Sequence, residues 1–135
     1  MENLDNASSE KQLSPELDKT VGILAYITLI GFIISIVLNS SKTGEEKKFG
    51  AFHLRQALGL IIFSVGLFIA LTIVTVILAI IIPFLGVLLG LLMNLVWLGI
   101  LALLIIGIVN AANGSYKEVP VIGSYSSKYL GKTFE

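Results

Sequence analysis

Two long apolar runs, separated by a short charged segment, set the pattern of the chain. No charged residue occurs in residues 20–41 or in residues 56–116. About 20 apolar residues of helix cross a hydrocarbon core of about 30 Å. The first run therefore predicts one transmembrane helix at about residues 19–40, and Ser14 and Pro15 are suited to begin it.

The second run is too long for one crossing. As a single helix its 61 residues would extend about 90 Å, at about 1.5 Å per residue. Pro83 removes a helical hydrogen bond, so it predicts a break between two helices at about residues 52–82 and 91–113. The apolar hairpin IIPFLGVLLG, residues 81–90, joins them. These patterns predict an all-α integral membrane bundle of three transmembrane helices, with an apolar hairpin between the second and the third.

Two glycines of this hairpin, Gly86 and Gly90, lie four residues apart. Small residues at this spacing let two helix backbones approach closely within a membrane. We predict a helix-packing contact at these positions. Chance spacing in a glycine-rich apolar segment explains the pair equally well.

Composition supports a membrane environment. The chain has 56% hydrophobic residues, 13% charged residues and a mean hydropathy of +0.94. Soluble domains carry about 25% charged residues, and a small fold leaves about a third of its surface exposed. The lipid bilayer is therefore the first expected partner. A formal net charge of zero gives no indication of nucleic-acid binding, and the absence of cysteine excludes disulfides.

The positions of lysine and arginine predict an orientation. With three spans, the 42–56 loop and the C-terminus share one side of the membrane, which then carries seven of the nine cations. Only Lys11 and Lys19 fall on the other side. Cytoplasmic segments are enriched in Lys and Arg. We therefore expect a multi-pass protein of the cell membrane with the 42–56 loop and the C-terminus in the cytoplasm and the N-terminus outside.

The flanking segments differ from the apolar domain. Residues 1–13 are polar and acidic, which predicts a flexible tail. Residues 14–116 form the expected transmembrane domain, and the tyrosines and lysines of residues 117–135 are typical of a segment that rests on lipid headgroups. The predicted anchors at the membrane interface are Lys47, Lys48, Trp97 and Tyr116.

The polar groups in KKFGAFHLRQALGL, residues 47–60, are the main candidates for a contact site. His53 and Gln56 share one face of a helix, where they can bond each other or a neighbouring helix. The alternative is a cytoplasmic contact site for a partner protein or a passing substrate. Two asparagines at the end of the third span are predicted to lie at the same membrane face. The full candidate set is Phe52, His53, Arg55, Gln56, Asn110 and Asn113.

Several chemistries lack the residues that they need. The apolar runs contain no ionisable side chain of the kind that proton-coupled transporters use. The chain has no glycine-rich phosphate loop, and its serines lack histidine and carboxylate partners. A single histidine is too few for a metal site. We therefore expect a protein that is not an enzyme and has no cofactor or metal.

The stretch FGAFHLRQALGLIIF resembles a block that opens a transmembrane helix in the Tic-twenty-like membrane proteins, and NGSYKEVPVIGSYSSKY resembles the segment that follows the last helix of that family. The similarity covers about residues 19–128 and includes TVGILAYITLIGFIISIVLN. It rests mainly on Phe52, His53, Gln56, Ala57, Gly114, Tyr116, Pro120 and Gly123. Plastid members of the family are import components of the inner envelope, with an additional preceding span that is not found here. The resemblance therefore points to the uncharacterised bacterial relatives.

Two functions follow as hypotheses. By the resemblance, the chain is an accessory or channel-like component of a membrane protein-transport assembly. The alternative is a small structural membrane protein that binds and stabilises another membrane complex without conducting anything. Both require contact with other membrane proteins or self-association.

Overall fold

The computed structural model describes residues 18–135. The predicted tail at residues 1–13 and the start signal at Ser14 and Pro15 lie outside this range. Five helices follow one another along the described chain. They are α1 (Thr20–Ile27), α2 (Leu29–Ser40), α3 (Gly44–Ile81), α4 (Pro83–Ala112) and α5 (Gly123–Leu130). The prediction of an all-α fold is confirmed for the residues that the structure describes.

The first apolar run does not form a transmembrane helix. Thr28 adopts an extended conformation, with φ −150° and ψ 169°, and its hydroxyl accepts a hydrogen bond from Gly31 N at 2.9 Å. This arrangement ends α1 and caps a new helix. A Cβ at Gly31 would lie 2.7 Å from Leu24 O, so only glycine allows α2 to turn back this closely along α1. We call α1 and α2 the short hairpin.

The two ends of the short hairpin meet. Lys42 Nζ lies 2.7 Å from Asp18 Oδ2 and 3.7 Å from Glu46 Oε2. Residues 18–19 therefore lie at the same end of the molecule as residues 42–46, and no membrane separates them. The predicted 42–56 loop is itself helical from Gly44 onward. The prediction of a first span at residues 19–40 is wrong, because about 20 apolar residues suffice equally for one crossing and for a hairpin of two short helices.

The second apolar run forms a long hairpin of α3 and α4. Ile82 alone joins the two helices, and Pro83 takes the first position of α4, where its missing N–H breaks no helical bond. Residues 81–90 are thus helical except for Ile82. A Cβ at Gly86 would lie 2.4 Å from Ala79 Cβ, so Gly86 lies at the tightest point of the turn, whereas Gly90 has no such neighbour within 4 Å.

The helices of the long hairpin are longer than predicted. α3 has 38 residues and α4 has 30. At about 1.5 Å per residue they measure about 57 and 45 Å. In the described range these two helices are long and apolar enough to cross a membrane. The bundle therefore has two candidate spans and not three.

Packing divides the described chain into a head and a stem. The head comprises residues 18–60, which include α1, α2 and the beginning of α3, together with residues 104–112 of α4 and the tail from residue 113 onward. Its core includes Phe49, Leu54 and Leu60, all fully buried. The stem is the rest of the long hairpin, residues 61–103, in which α3 and α4 pack against each other and most large apolar side chains are exposed. Ile61 and Leu103, at its boundary, pack against the core of the head.

Candidate functional site

The centre of the head is a buried histidine. His53 is completely inaccessible and lies on α3 between the short hairpin and the tail. Its Nε2 is 2.9 Å from Ser115 O, and its Nδ1 is 2.9 Å from the hydroxyl of Tyr26 on α1. A carbonyl oxygen can only accept, so Nε2 of the neutral ring donates to Ser115 and Nδ1 accepts from Tyr26. The imidazole thereby joins three separate segments.

Aromatic rings enclose this histidine. The ring centroids of Phe49, Phe52 and Tyr26 lie 4.6, 5.0 and 5.7 Å from that of His53, all edge to face. Such edge-to-face pairs add stability beyond the area they bury. Space for Tyr26 comes from Gly107 on α4, where a Cβ would lie 2.4 Å from the tyrosine ring. The site is packed as a core and has no free imidazole nitrogen.

Gln56, one helical turn further along α3, holds the tail against the head. Its Nε2 donates to Gly123 O at 3.0 Å and to Ser127 Oγ at 3.1 Å. Its Oε1 accepts from Val119 N at 3.0 Å. The amide is completely buried, so these three bonds replace every contact with water. We call His53, Gln56, Tyr26 and their bonded partners the polar cluster.

The remaining candidates lie around the polar cluster. Arg55 donates to Thr133 O at 3.2 Å and pairs with Glu135 at 3.3 Å, so it binds the end of the tail. Asn110 donates to Lys117 O at 3.3 Å and not to His53 or Gln56. Asn113 is exposed at the C-terminal end of α4.

The predicted interface anchors are divided between head and stem. Lys47, Lys48 and Tyr116 lie in the head, and Phe52 packs against Tyr116 with ring centroids 5.3 Å apart. Trp97 packs against Phe68 of α3 at 5.8 Å. α4 begins at Pro83, so Trp97 lies about 21 Å along the helix from the turn at Ile82, at about 1.5 Å per residue. In the predicted helix at residues 91–113, Trp97 would have been within two turns of the start.

Charges and titratable groups gather at the open end of the head. The Lys42 ammonium, and then Thr20, hold the pKa of Asp18 well below its usual range, and this pair raises the pKa of Lys42. Burial, with the nearby charge of Glu45, raises the pKa of Tyr116 to about 12. Within residues 18–135, no group of three His, Cys, Asp or Glu side chains lies close enough to hold a metal ion.

Sequence reasoning missed several residues of this site. Tyr26, Ser115, Val119 and Ser127 bond to His53 or Gln56 from positions 27 to 71 residues away. One feature of the sequence could have indicated Tyr26, because it is the only tyrosine in the first apolar run. No local sequence pattern indicates which residues of the tail contact His53 or Gln56.

The comparison with protein families decides the relationship. The model of the MamF/MmsF family, the magnetosome magnetite crystal formation protein family, matches residues 17–125. The chain belongs to this family. The match covers both hairpins and most of the tail, including every member of the polar cluster except Ser127. No similar curated protein and no similar solved structure was found.

Membership of the MamF/MmsF family corrects the resemblance to the Tic-twenty-like proteins. The residues that carried the resemblance, above all Phe52, His53, Gln56 and Gly123, pack the head together. Packing of this kind is a general requirement of helices that meet at a membrane surface. Short blocks of such residues are therefore weak indicators of a particular family. The protein-transport role that rested on them has no support.

Proposed function

We propose that this member of the MamF/MmsF family is a structural protein of a magnetosome-type membrane, which acts through packing and shape and not through catalysis or conduction. The polar cluster carries the proposal. Its buried polar groups bond to one another inside the head, so none is left to bind a substrate or move a proton. Membership of the MamF/MmsF family and two helices long and apolar enough to cross a bilayer support the membrane location.

The stem supports the same reading. Three of its polar side chains bond within the long hairpin, whereas the buried hydroxyl of Thr72 has no hydrogen-bond partner. Ser64 Oγ donates to Leu60 O at 2.7 Å, and Asn94 Nδ2 lies 3.4 Å from Gly90 O. The hydroxyl of Thr75 lies 3.8 Å from Met93 Sδ. The large side chains on the outside of both helices are apolar. Two such helices offer lipid a continuous apolar surface and offer a solute no polar path.

The distribution of lysine and arginine indicates how the protein is oriented in the membrane. Every lysine and arginine of residues 18–135 lies in the head and none lies in the stem. Cytoplasmic segments are enriched in these residues. We therefore place the head on the cytoplasmic side of the membrane and the turn at Ile82 on the opposite side, toward the interior of the membrane compartment.

A deletion in a magnetosome-forming host that carries this gene tests the function. We expect a fluorescent fusion to fractionate with the magnetosome membrane, and we expect the deletion to alter crystal size in electron micrographs. Complementation of the deletion strain with the Gln56→Leu variant should restore the wild-type crystal size only slightly, because the variant loses the bonds that hold the tail against the head. Unchanged crystals in the deletion strain, together with a fusion absent from that membrane, would overturn the proposal.

The orientation has its own test. The chain has no cysteine, so single cysteines can be introduced without background. In isolated, sealed magnetosome vesicles, whose outer surface is the cytoplasmic face, an impermeant maleimide should label a cysteine at exposed Lys132 while the membrane is still closed. Labelling of Lys132→Cys only after the vesicles are opened would reverse the assigned sides.

A further inference from the structure

The short hairpin is too short to cross a bilayer. α1 and α2 have 8 and 12 residues, which span about 12 and 18 Å at about 1.5 Å per residue. A hydrocarbon core measures about 30 Å. The ion pair of Asp18 and Lys42 closes the hairpin at its polar end. The short hairpin can therefore enter one leaflet only, and it must leave on the side where it entered.

The outward face of α2 is built for hydrocarbon. The exposed fractions of Ile30, Ile33 and Val37 are 71%, 55% and 64%, and residues 20–41 carry no charge. Soluble proteins rarely expose a continuous row of large aliphatic side chains to water. Acyl chains are the occupant that matches it, because the same chain carries two helices that are long and apolar enough to cross a membrane.

The tail adds a second element to the same leaflet. Gly59 of α3 lies so close to Ser126 of α5 that a Cβ would overlap the serine hydroxyl, and the chain then continues until Phe134 packs on Phe32 of α2, with ring centroids 6.1 Å apart. The tail thus runs from α4 across α3 to α2. Its Tyr125 and Tyr129 are exposed beside Lys128, a combination suited to the boundary between headgroups and acyl chains.

The two leaflets are therefore filled unequally. At the level of the head, the membrane would hold four helices and a fifth lying across them, whereas the far half holds only α3 and α4. A helix with its side chains is about 10 Å wide, so the occupied area in the near leaflet is at least about twice that in the far leaflet. An element that expands one leaflet is favoured where that leaflet is stretched.

We propose that the head is a one-sided wedge, and that the protein concentrates on, and stabilises, strongly curved membrane with the head on the convex face. Its partner is the lipid leaflet itself, through the outward face of α2 and the tail. This activity goes beyond the proposed function, because it requires neither a crystal nor a second protein.

Membrane tubes pulled from giant phospholipid vesicles test the wedge. Lys132→Cys, labelled from outside with an impermeant dye, makes only the molecules with the head outward fluorescent. We expect the density of the dye on the tube to exceed that on the flat vesicle by at least about twofold, because the binding of shallow amphipathic insertions depends on membrane curvature. Equal density on tube and vesicle would refute the proposal.

A matched pair of triple variants locates the effect on α2. Ile30→Ser with Ile33→Ser and Val37→Ser removes the apolar face and should abolish the enrichment. The control exchanges the same three residues for leucine and should retain it. Retained enrichment in the serine variant would overturn the role of the short hairpin.

A depth measurement decides the matter if the serine variant fails to fold. Trp97 is the only tryptophan, so Ile33→Trp in a Trp97→Phe background gives a single emitter. We expect lipids brominated near the carbonyl end of the acyl chain to quench it strongly and lipids brominated near the chain end to quench it weakly. Emission untouched by both lipids would place α2 outside the hydrocarbon and refute the wedge.

Discussion

Gln56→Leu is the sharpest test of how the tail is held. The side chains have similar size, so the exchange leaves packing volume nearly unchanged and removes three hydrogen bonds. Two of the groups left behind, Val119 N and Gly123 O, are buried. An unsatisfied buried group costs about 1–3 kcal/mol, so docking of the tail should weaken by about 2–6 kcal/mol.

Limited proteolysis in detergent micelles measures this loss. Trypsin cuts after Lys128, which lies within α5, so cleavage there requires α5 to open. When opening is fast compared with cleavage, the rate reports the population of the open form. A loss of about 2 kcal/mol or more corresponds to cleavage at least about 30-fold faster, at about 1.4 kcal/mol per factor of ten.

Asn94→Leu is the matched control, because it also exchanges a polar amide side chain for leucine. Asn94 is exposed in the stem and has one long bond, 3.4 Å to Gly90 O. We expect its cleavage rate to equal that of the wild type. If Gln56→Leu and Asn94→Leu are cleaved at the same rate, the bonds of Gln56 do not hold the tail and the assigned role of the polar cluster is wrong.

Three further predictions concern the close approach, the turn and the charges of the head. Gly107→Val places new atoms against the buried ring of Tyr26 and should destabilise the head by about 1–3 kcal/mol. Gly99→Val places its new atoms in open space and should lower stability far less. Thermal unfolding of the two variants in micelles measures the difference. Thr28→Ala removes the cap of α2 and should cost about 1 kcal/mol, while Thr43→Ala, which makes no capping bond, serves as the unaffected control in the same assay. Asp18 has a lowered pKa, so its ion pair stabilises the fold above about pH 4 and that contribution disappears as the pH falls further. The wild type should lose up to about 1 kcal/mol in acid that Asp18→Asn does not lose, and parallel acid titrations of both proteins would contradict this.

The sequence contained enough to predict helices, a membrane environment and the break at Pro83, because periodic hydrophobicity and proline geometry are local properties. The short hairpin could not be found in the same way. A run of about 20 apolar residues fits both one span and two short helices, and the difference lies in a single capping threonine, Thr28, followed by Gly31.

The polar cluster shows the limit for sites. The sequence indicated that His53 and Gln56 share a face, which they do on α3, but their partners lie on α1 and on the tail. Pairings between residues more than 60 positions apart follow from the path of the chain, and no local pattern contains that path. Similarly, the sequence predicted a ten-residue hairpin at residues 81–90, whereas Ile82 alone connects the two helices. α3 continues to Ile81 and α4 begins at Pro83.

The apolar turn between α3 and α4 also bears on how the protein enters a membrane. Moving a charged residue to the centre of a bilayer helix costs about 2.5–3.5 kcal/mol. The segment that must pass through, residues 61–103 of the stem, contains no such residue. The paired helices can therefore insert together from the side on which they are synthesised, with no hydrophilic loop to translocate and no need for the membrane potential to drive one across.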